Sequence, residues 1–225
     1  MCSCIWKFLK NFRYKKVCKK YKLILIEDSA EALNSFYKKK HLGTFGKVGI
    51  LSLNGNKIIT SGSGGIILTN DKKIFNFCNH ISSNSKINHK WEYLHDGIGY
   101  NLKMPNLNAA LAYSQLLDLK KIQENKNKLF KIYKKFFKKY ESDIELVEPI
   151  KSSISNNWLI SIKLKNRFIN KKNEILNFLL KNRVHARPTW KPLHTLKYLD
   201  KFPRSNLVNT NALYKKVISL PSGSK

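Results

Sequence analysis

The stretch of residues 26–71 constrains this chain more than any other, because it places an acid, a lysine and a group of glycines in a fixed order. The apolar run Leu23–Ile26 is suited to a buried strand. Asp28 follows the run, at the carboxyl end where ligands of open α/β sheets bind. Lys57 lies in a small polar turn that is predicted to run into an apolar strand at Ile58-Ile59. The stretch therefore predicts a ligand site at the edge of a sheet.

These residue types meet the chemical needs of pyridoxal phosphate (PLP). PLP is an electron sink when a carboxylate keeps its pyridine nitrogen protonated, and Asp28 is placed to supply that carboxylate. An amine must hold the cofactor as an imine and move protons afterwards, which is a role for Lys57. Ser52 is a candidate phosphate ligand, and the glycines within 62–65 permit close backbone approach. From the residues alone, a solvated loop acid and a surface lysine stay open as alternatives.

Several motifs follow one another within this stretch: Glu27-Asp28-Ser29-Ala30-Glu31, Gly43-Thr44-Phe45-Gly46, Ser52 through Thr60, Gly64-Gly65 and Thr69-Asn70-Asp71. Together they resemble the E-D-A-A-Q/E, G-T-F-G, S-F-x-x-N-K-x-I-T and T-N-D pattern of the DegT/DnrJ/EryC1/StrS family. That family comprises PLP-dependent sugar aminotransferases of fold type I. An ensemble of motifs in the same order is far more specific than a lone glycine pattern.

The resemblance implies a role for each matching residue. Lys57 is the residue expected to form the Schiff base with PLP, and Asp28 is expected to pair with the pyridine nitrogen. Glu31 is expected near the ring hydroxyl and Ser52 at the phosphate. The family more often has Gln at the position of Glu31, and a Glu there alters the charge beside the ring.

A second motif carries an expectation about assembly. Residues 99–110, GYNLKMPNLNAA, resemble the family signature G-Y-N-Y-R-M/L-x-x-L-x-A-A. By that resemblance Asn101 reaches the PLP phosphate of the neighbouring subunit, which implies a homodimer. Lys103 replaces the usual Arg, so the positive charge is kept and the bidentate geometry is lost. The residues alone also allow a plain turn before a helix.

Helices are predicted on both sides of this motif. A short basic helix over Phe12–Tyr21 precedes the first strand, and another helix follows Asp71. Pro105–Tyr140 is predicted to be helical, with an apolar stripe that begins at Leu107 and a break near Glu124–Lys126. We interpret its lysine-rich second half as a solvated face of a connecting helix.

The last part of the chain is predicted to be a small mixed domain. Strands at 144–147 and 158–164, a helix at 170–182 and a strand edge at 184–188 resemble the small C-terminal domain of the family. Its R-P-x-x-x-P-L-H motif places Arg187, Trp190 and His194 as candidates to contact substrate. A packed tryptophan and a loop histidine stay open as the alternative.

The expected fold class is therefore α/β. Residues 1–118 are predicted to form part of a fold type I large domain with a mainly parallel sheet. Residues 119–225 are predicted to form a connecting helix and a small α+β domain. Family members have a long region before this part and a helix after it. We therefore expect a truncated chain with an uncovered apolar strand and no activity by itself.

The net charge of the chain is compatible with a sugar-nucleotide aminotransferase. A formal net charge of +29 ordinarily indicates a polyanionic partner. Here 38 Lys stand against 5 Arg, scattered among Asn and Ile, and Arg carries most base-edge readout. Nucleic acid is therefore not predicted as a partner, whereas an anionic sugar nucleotide is compatible with the positive field.

The sequence predicts neither a metal site nor a membrane segment. Cys2, Cys4, Cys18 and Cys78 lack paired CxxC spacing, and the histidines lack a spacing that would make ligands converge. No apolar run suffices for a signal peptide or a membrane span. We therefore expect a cytoplasmic protein with reduced thiols that does not bind membranes.

Some motifs narrow the branch of the family. Asn54-Gly55-Asn56-Lys57, WEYLHD at 91–96, MPNLN at 104–108 and RPTW at 187–190 look most like the aminotransferase of the legionaminic-acid pathway. That likeness implies a UDP-linked 2-acetamido-2,6-dideoxy-hexos-4-ulose as acceptor and glutamate as amino donor. A perosamine or pseudaminic precursor stays open as acceptor, and so does a non-enzymatic basic binding module. Lys57 argues against a related 3-dehydratase branch, which typically has His there.

Overall fold

The structure is a computed structural model that describes residues 11–223 of the 225-residue chain. Over these residues the chain forms α-helices and short strands, with 3-10 helices at Asn166–Lys171, Leu193–Thr195 and Lys197–Leu199. In chain order the elements are α1 (Asn11–Lys20), β1 (Ile26–Asp28), β2 (Phe36–Tyr37), β3 (Lys40–His41), β4 (Val48–Ser52), β5 (Gly65–Leu68), α2 (Lys72–Ile81), β6 (Lys86–Ile87), β7 (Leu94–His95), α3 (Asn106–Leu117), α4 (Leu119–Lys138), β8 (Ile144–Leu146), β9 (Ser153–Ile154), β10 (Ile160–Leu164), α5 (Lys172–Lys181), β11 (Arg187–Pro188), α6 (Val208–Lys216) and β12 (Val217–Leu220).

The chain divides into two compact units. The first comprises the residues up to Lys121 together with Pro149–Asn156, and the second comprises Ile122–Glu148 and the residues from Asn157 onward. The domain boundary expected between residues 118 and 119 stays a prediction. The Cys2-x-Cys4 pair lies outside the described residues.

The first unit is built on a three-stranded sheet in the order β1-β4-β5. β1 runs parallel to β4, with Asp28 opposite Ile50, and β5 runs antiparallel to β4, with Gly65 opposite Ser52. Because β1 and β4 are parallel, their last residues, Asp28 and Ser52, lie at the same edge of the sheet. This edge is where the sequence predicts the ligand site.

The two faces of this sheet differ in burial. Successive side chains of a strand point to opposite faces, so Glu27 and Leu51 share the covered face, and both are buried. The opposite face carries apolar side chains that are exposed: Ile26, Ile50 and Ile67.

The first strand is shorter and starts later than its sequence predicts. The apolar run begins at Leu23, but β1 covers only Ile26–Asp28, and Leu23 and Ile24 are exposed. The reason is the length of its partner. β4 begins at Val48, opposite Ile26, and before that point only Leu25 has a backbone hydrogen bond to the β4 side of the sheet.

The strand predicted at Ile58-Ile59 is wrong. Both side chains are buried, but their backbone forms a turn. The loop closes on itself instead, since Leu53 N–H donates to the Gly64 carbonyl and Ser61 N–H donates to the Leu53 carbonyl. Burial of these two isoleucines therefore comes from a compact loop, which hydrophobicity alone does not distinguish from a strand.

The predicted long helix is two helices, and its break lies elsewhere. α3 ends at Leu117 and α4 begins at Leu119, with Asp118 between them, whereas residues 124–126 are continuous helix. Lys126 stabilises that region, because its Nζ is buried and donates to the Ser222 carbonyl at 2.6 Å.

α3 packs with its polar side inward. Asn108, Ala112 and Gln115 are the less exposed residues and lie on one face, four and three residues apart. The apolar stripe predicted from Leu107 faces outward, and Leu107 itself is 86% exposed. The inward face is polar because it binds backbone groups of the loop that carries Lys57.

The second unit is built on an antiparallel sheet in the order β11-β12-β10-β8. Ile162 in β10 lies opposite Ile218 in β12 and Leu146 in β8. Helical side chains pack on this sheet, so the unit has a closed apolar core. Its buried members are Ile162, Leu164, Ala186, Ile218 and Leu220, with Tyr133, Phe137, Ile144, Leu146, Phe168, Ile175, Leu176 and Leu179 packed against them.

Candidate active site

Glu27 fixes the first strand through a turn that follows β3. One carboxylate oxygen accepts from the Gly43 N–H at 3.1 Å, and the other accepts from the N–H groups of Phe45 and Gly46 at 2.5 and 2.6 Å. Gly43 has a φ of +90°, and a Cβ on Gly49 would lie 1.9 Å from the Gly43 carbonyl oxygen. Both positions therefore require glycine. The G-T-F-G motif thus provides backbone donors that satisfy a buried carboxylate.

Asp28 and Ser52 lie on the same face of the sheet, at the ends of adjacent parallel strands. The Asp28 side chain is half-buried, and its Oδ1 accepts from the Ala30 N–H at 3.1 Å. Ser52 Oγ accepts from the Asn54 N–H at 3.3 Å. The structure therefore brings these two predicted residues to one edge.

Lys57 and Glu31 form an ion pair in the first unit. Lys57 Nζ donates to Glu31 Oε1 at 3.2 Å, and the two side chains are only 13% and 12% exposed. The second carboxylate oxygen, Oε2, is buried without a hydrogen-bond partner among residues 11–223. Two of the predicted cofactor residues are thus in direct contact, and one of them has an oxygen available for a bound group.

The protonation of Glu31 reflects this environment. Burial raises the pKa of its carboxyl above the ordinary value, because the charged form loses solvation. The Lys57 charge and hydrogen bond act in the opposite direction, and the negative charge of Asp28 adds to the increase. The net result is a carboxyl that takes up a proton more readily than an exposed one.

The loop that carries Lys57 is held by α3. The Gln115 side chain accepts from the Thr60 N–H at 3.1 Å and donates to the Thr60 carbonyl at 2.8 Å. Asn108 donates to the Ser61 carbonyl. Sequence analysis missed both residues, although their spacing of seven places them on one helix face.

Asn156 fixes the segment that carries Glu31. Its side-chain amide donates to the carbonyls of Glu31 and Leu33 at 2.8 and 2.9 Å, and its N–H donates to Ser35 Oγ at 3.0 Å. Asn156 is 121 or more positions away from these partners along the chain. No local pattern could have identified it.

Asn101 and Lys103 lie on a segment that is attached to the end of α2, since Tyr100 N–H donates to the Ile81 carbonyl and Leu102 N–H donates to the Ser82 carbonyl. Asn101 is exposed and forms an isolated antiparallel bridge with Ser83. Lys103 Nζ donates to the side chain of Asn79. The predicted role of Asn101 in a neighbouring subunit stays a prediction.

The other predicted substrate residues lie in the second unit. Arg187 is exposed on β11, opposite Ser219. Trp190 is 57% exposed and stacks on Trp158, with ring centroids 6.1 Å apart. His194 Nε2 lies 2.9 Å from Asn211 Oδ1. The contact of Arg187, Trp190 and His194 with substrate stays a prediction.

The residues of the first unit fit PLP. A buried carboxylate oxygen without a partner is the expected state of a group that contacts a bound molecule. The amine of Lys57, the carboxylate of Asp28 and the hydroxyl of Ser52 are the donor and acceptor types that the cofactor requires. Within residues 11–223 no three His, Cys, Asp or Glu side chains cluster in a way that could hold a metal ion. None of the helices in this range has the length and apolarity to cross a membrane.

Known proteins resemble this chain over most of its length. A sequence model of the DegT/DnrJ/EryC1/StrS aminotransferase family matches residues 12–225. GDP-perosamine synthase of Escherichia coli O157:H7 is 34% identical over 208 residues, which cover 92% of this chain and 55% of that protein. EpsN of Bacillus subtilis, whose name assigns it provisionally to the pyridoxal phosphate-dependent aminotransferases, is 34% identical over 212 residues, 92% and 54% of the two chains.

A solved structure gives the same result. PseC of Helicobacter pylori, described as an aminotransferase involved in the biosynthesis of pseudoaminic acid, superposes with a TM-score of 0.89 at 27% identity. The match covers 96% of this chain and 58% of PseC. The predicted fold class, a partial α/β fold of the fold type I aminotransferases, is confirmed. The chain spans about half the length of the curated relatives it matches.

Proposed function

Because the chain belongs to the DegT/DnrJ/EryC1/StrS aminotransferase family, we propose that it serves as a sugar-nucleotide aminotransferase in which Lys57 carries PLP. The family consists of PLP-dependent aminotransferases. The observation that carries the proposal is the Lys57 amine itself. It is held 3.2 Å from Glu31 in a mostly buried position, in the unit whose strands end at Asp28 and Ser52.

Each residue of the site has a defined task in this proposal. When bound, PLP supplies an electron sink that stabilises negative charge on the reacting carbon. Asp28 would hold the proton on the ring nitrogen, and Ser52 would hydrogen-bond the phosphate. Glu31 would contact the ring hydroxyl. Lys57 would anchor the cofactor and, once displaced, move protons to and from the substrate.

The acceptor is proposed from the motifs that narrow the branch. We infer a UDP-linked 2-acetamido-2,6-dideoxy-hexos-4-ulose as acceptor and glutamate as amino donor. The relative named GDP-perosamine synthase supports a GDP-linked keto sugar as the second candidate. Turnover of purified UDP- and GDP-linked 4-keto sugars by the enzyme completed with the N-terminal region of a relative, compared in one assay, distinguishes the two. The expected cytoplasmic location stays a prediction, and so does the expectation that this chain is inactive by itself.

The proposal includes a homodimer with shared sites. Asn101 is exposed, as a residue that serves a neighbouring subunit must be, and the apolar stripe of α3 nearby in sequence faces outward. In an enzyme completed with the N-terminal region of a relative, mixing Lys57→Ala and Asn101→Ala protomers is expected to restore part of the activity, because hybrid dimers contain one intact site. An active monomer by light scattering would contradict the shared site.

Four residues are proposed to contact substrate: Lys103, Arg187, Trp190 and His194. What supports them is their accessibility together with their chemistry. Lys103, Arg187 and Trp190 are exposed and His194 is half-buried; three of the four are cationic or titratable, and Trp190 has an accessible ring. Alanine substitutions are expected to raise KM for the sugar nucleotide and to leave PLP binding unchanged. A loss of PLP absorbance in any of them would assign that residue to the cofactor instead.

The test of the whole proposal is covalent tagging of Lys57. The protein is incubated with PLP, reduced with borohydride and digested, and the pyridoxyl group is located by peptide mapping. We expect the tag on Lys57. Lys47→Ala is the matched control and is expected to keep the tag on Lys57. Lys47 also pairs with an acid, Asp71, but its side chain is 49% exposed. A tag on Lys47, or one spread over many lysines, would refute the assignment.

A further inference from the structure

Lys57 must lose a proton before it can react, and Glu31 lies next to it. A lysine can add to an aldehyde only as the neutral amine, whereas an ion pair holds it as an ammonium. Something must take the proton from Nζ before Lys57 reacts. Glu31 Oε1, at 3.2 Å, is the acceptor that the Lys57 ammonium already contacts.

The surroundings make proton transfer within the pair less costly than it is at the protein surface. Both side chains are about nine-tenths buried, so the two charges lose most of their hydration. Glu31 faces the positive charge of Lys57 and the negative charge of Asp28. Burial raises the pKa of the Glu31 carboxyl, the charge and hydrogen bond of Lys57 oppose that increase, and the charge of Asp28 adds to it. Moving the proton from nitrogen to oxygen removes both charges at once, and this costs less here than at the surface.

We propose that Glu31 is the proton acceptor for Lys57, so that the ion pair converts into a neutral amine beside a neutral carboxylic acid. One N–H bond breaks, one O–H bond forms, and the pair has zero net charge before and after the transfer. The proposal rests on the proposed function, in which the Lys57 amine is the reacting group. It assigns Glu31 a catalytic role, because it acts directly on the reacting atom.

The second carboxyl oxygen of Glu31, Oε2, can contact a bound ligand when Glu31 is protonated. This oxygen is buried and lacks a hydrogen-bond partner within the described residues. A protonated carboxyl has both a donor and an acceptor to offer a bound ligand, whereas a carboxylate only accepts. Proton transfer from Lys57 therefore changes what the site presents to the group that enters it.

The Lys47–Asp71 pair shows what a surface ion pair looks like in the same unit. Its nitrogen and oxygen are 2.5 Å apart, but the side chains are 49% and 24% exposed. Asp71 also accepts from the N–H groups of Lys73 and Ile74 at the start of α2. The Lys47 hydrogen bond, together with these N–H groups, lowers the pKa of Asp71, so it is a poor proton acceptor. Lys47 is therefore the internal control.

The experiment measures lysine reactivity against pH without any cofactor. The protein is labelled with trace acetic anhydride between about pH 6 and pH 9, normalised to an added free amine, and each lysine is quantified by mass spectrometry. An ammonium that loses its proton to water gains reactivity about tenfold per pH unit below its pKa. A lysine that passes its proton to Glu31 reacts at a rate nearly independent of pH. Its free amine then comes from the neutral form of the singly protonated pair, and the share of that form does not change with pH.

The expected result is a nearly flat profile for Lys57 in the wild type and a tenfold rise per pH unit in Glu31→Gln. Lys47 is expected to rise in both proteins. A steep Lys57 profile in the wild type overturns the proposal, and so does a profile that Glu31→Gln leaves flat. Should the variant fail to fold, the wild-type profile alone decides.

Failure of the proposed function is separable from failure of this proposal. A flat Lys57 profile with no PLP tag on Lys57 after borohydride supports proton transfer and refutes the cofactor role. A PLP tag on Lys57 with a steep profile supports the cofactor role and refutes Glu31 as acceptor.

Discussion

The largest sheet of the second unit and the β1-β4-β5 sheet of the first unit differ in how their apolar surface is covered. In the second unit all four residues of β12 are buried, and helical side chains cover the apolar face. In the first unit none of the four residues of β5 is buried, and Ile67 is 54% exposed. Both strands are rich in isoleucine and leucine, so composition does not account for the difference.

What differs is the supply of covering elements. The second unit contains α4, α5 and α6 around one sheet, whereas the first unit, within residues 11–223, leaves one sheet face open. A sheet that contains a parallel pair ordinarily has both faces covered, and an exposed apolar patch marks a surface that contacts something else. The apolar face of the second unit's sheet is thus covered by the unit's own helices, and one face of the β1-β4-β5 sheet is not.

The largest expected effect comes from a matched pair of isoleucines. Ile162→Ala removes a side chain that is 3% exposed in β10, and we expect it to cost about 2–5 kcal/mol. Ile67→Ala on the open face is expected to cost less than about 1 kcal/mol. Amide hydrogen exchange, followed separately in β10 and β4, measures both. Equal costs would show that the open face is covered in solution.

A smaller loss of stability is expected when the buried carboxylate of Glu27 in the first unit is replaced. Glu27→Gln replaces one acceptor oxygen with a donor that faces backbone N–H groups, so we expect a loss of about 2–3 kcal/mol. Glu92→Gln, exposed in the same unit, is the control and should change stability by less than about 0.5 kcal/mol. Urea unfolding of both variants provides the comparison. A tolerant Glu27 would mean that the glycine turn, and not its carboxylate, holds β1.

The smallest effect concerns the buried charge of the second unit. Burial lowers the pKa of Lys126 below its ordinary value. Between that lowered pKa and the unfolded one, the unfolded chain binds a proton that the folded chain does not, so stability rises with pH. Below both pKa values this gain is absent. Lys126→Met is expected to abolish the rise, and Lys128→Met, exposed on the same helix, to retain it. Thermal unfolding between about pH 7 and pH 10 is the measurement.

The sequence predicted what depends on neighbouring residues. Asp71 as the start of α2, the short basic helix before β1 and the motif that contains Lys57 are local patterns, and the structure contains each of them. It also brings Lys57 and Glu31 into contact. The family resemblance supplied that pairing of roles, because the two residues are 26 positions apart and no periodicity links them.

What the sequence could not predict depends on distant partners. The sequence does not distinguish Glu27 from a solvated loop acid. In the structure its carboxylate accepts from the Gly43 N–H. Asn156 hydrogen-bonds the Glu31 carbonyl, although the two residues are 125 positions apart in the sequence. α3 departs from the usual pattern, because an apolar stripe ordinarily indicates the buried face, and here the less exposed face carries Asn108 and Gln115. Periodicity reports that two faces differ, but it does not report which one contacts the protein.

α3 also links two events that are usually considered separately. On its inner side, Gln115 makes hydrogen bonds to both the N–H and the carbonyl of Thr60. On its outer side, Leu107 is exposed. A molecule that immobilises the outer side slows the motions of the helix and therefore of the loop that it grips. If the proposed homodimer forms through this outer side, the loop that carries Lys57 is expected to lose mobility, which slower amide exchange at Thr60 would measure.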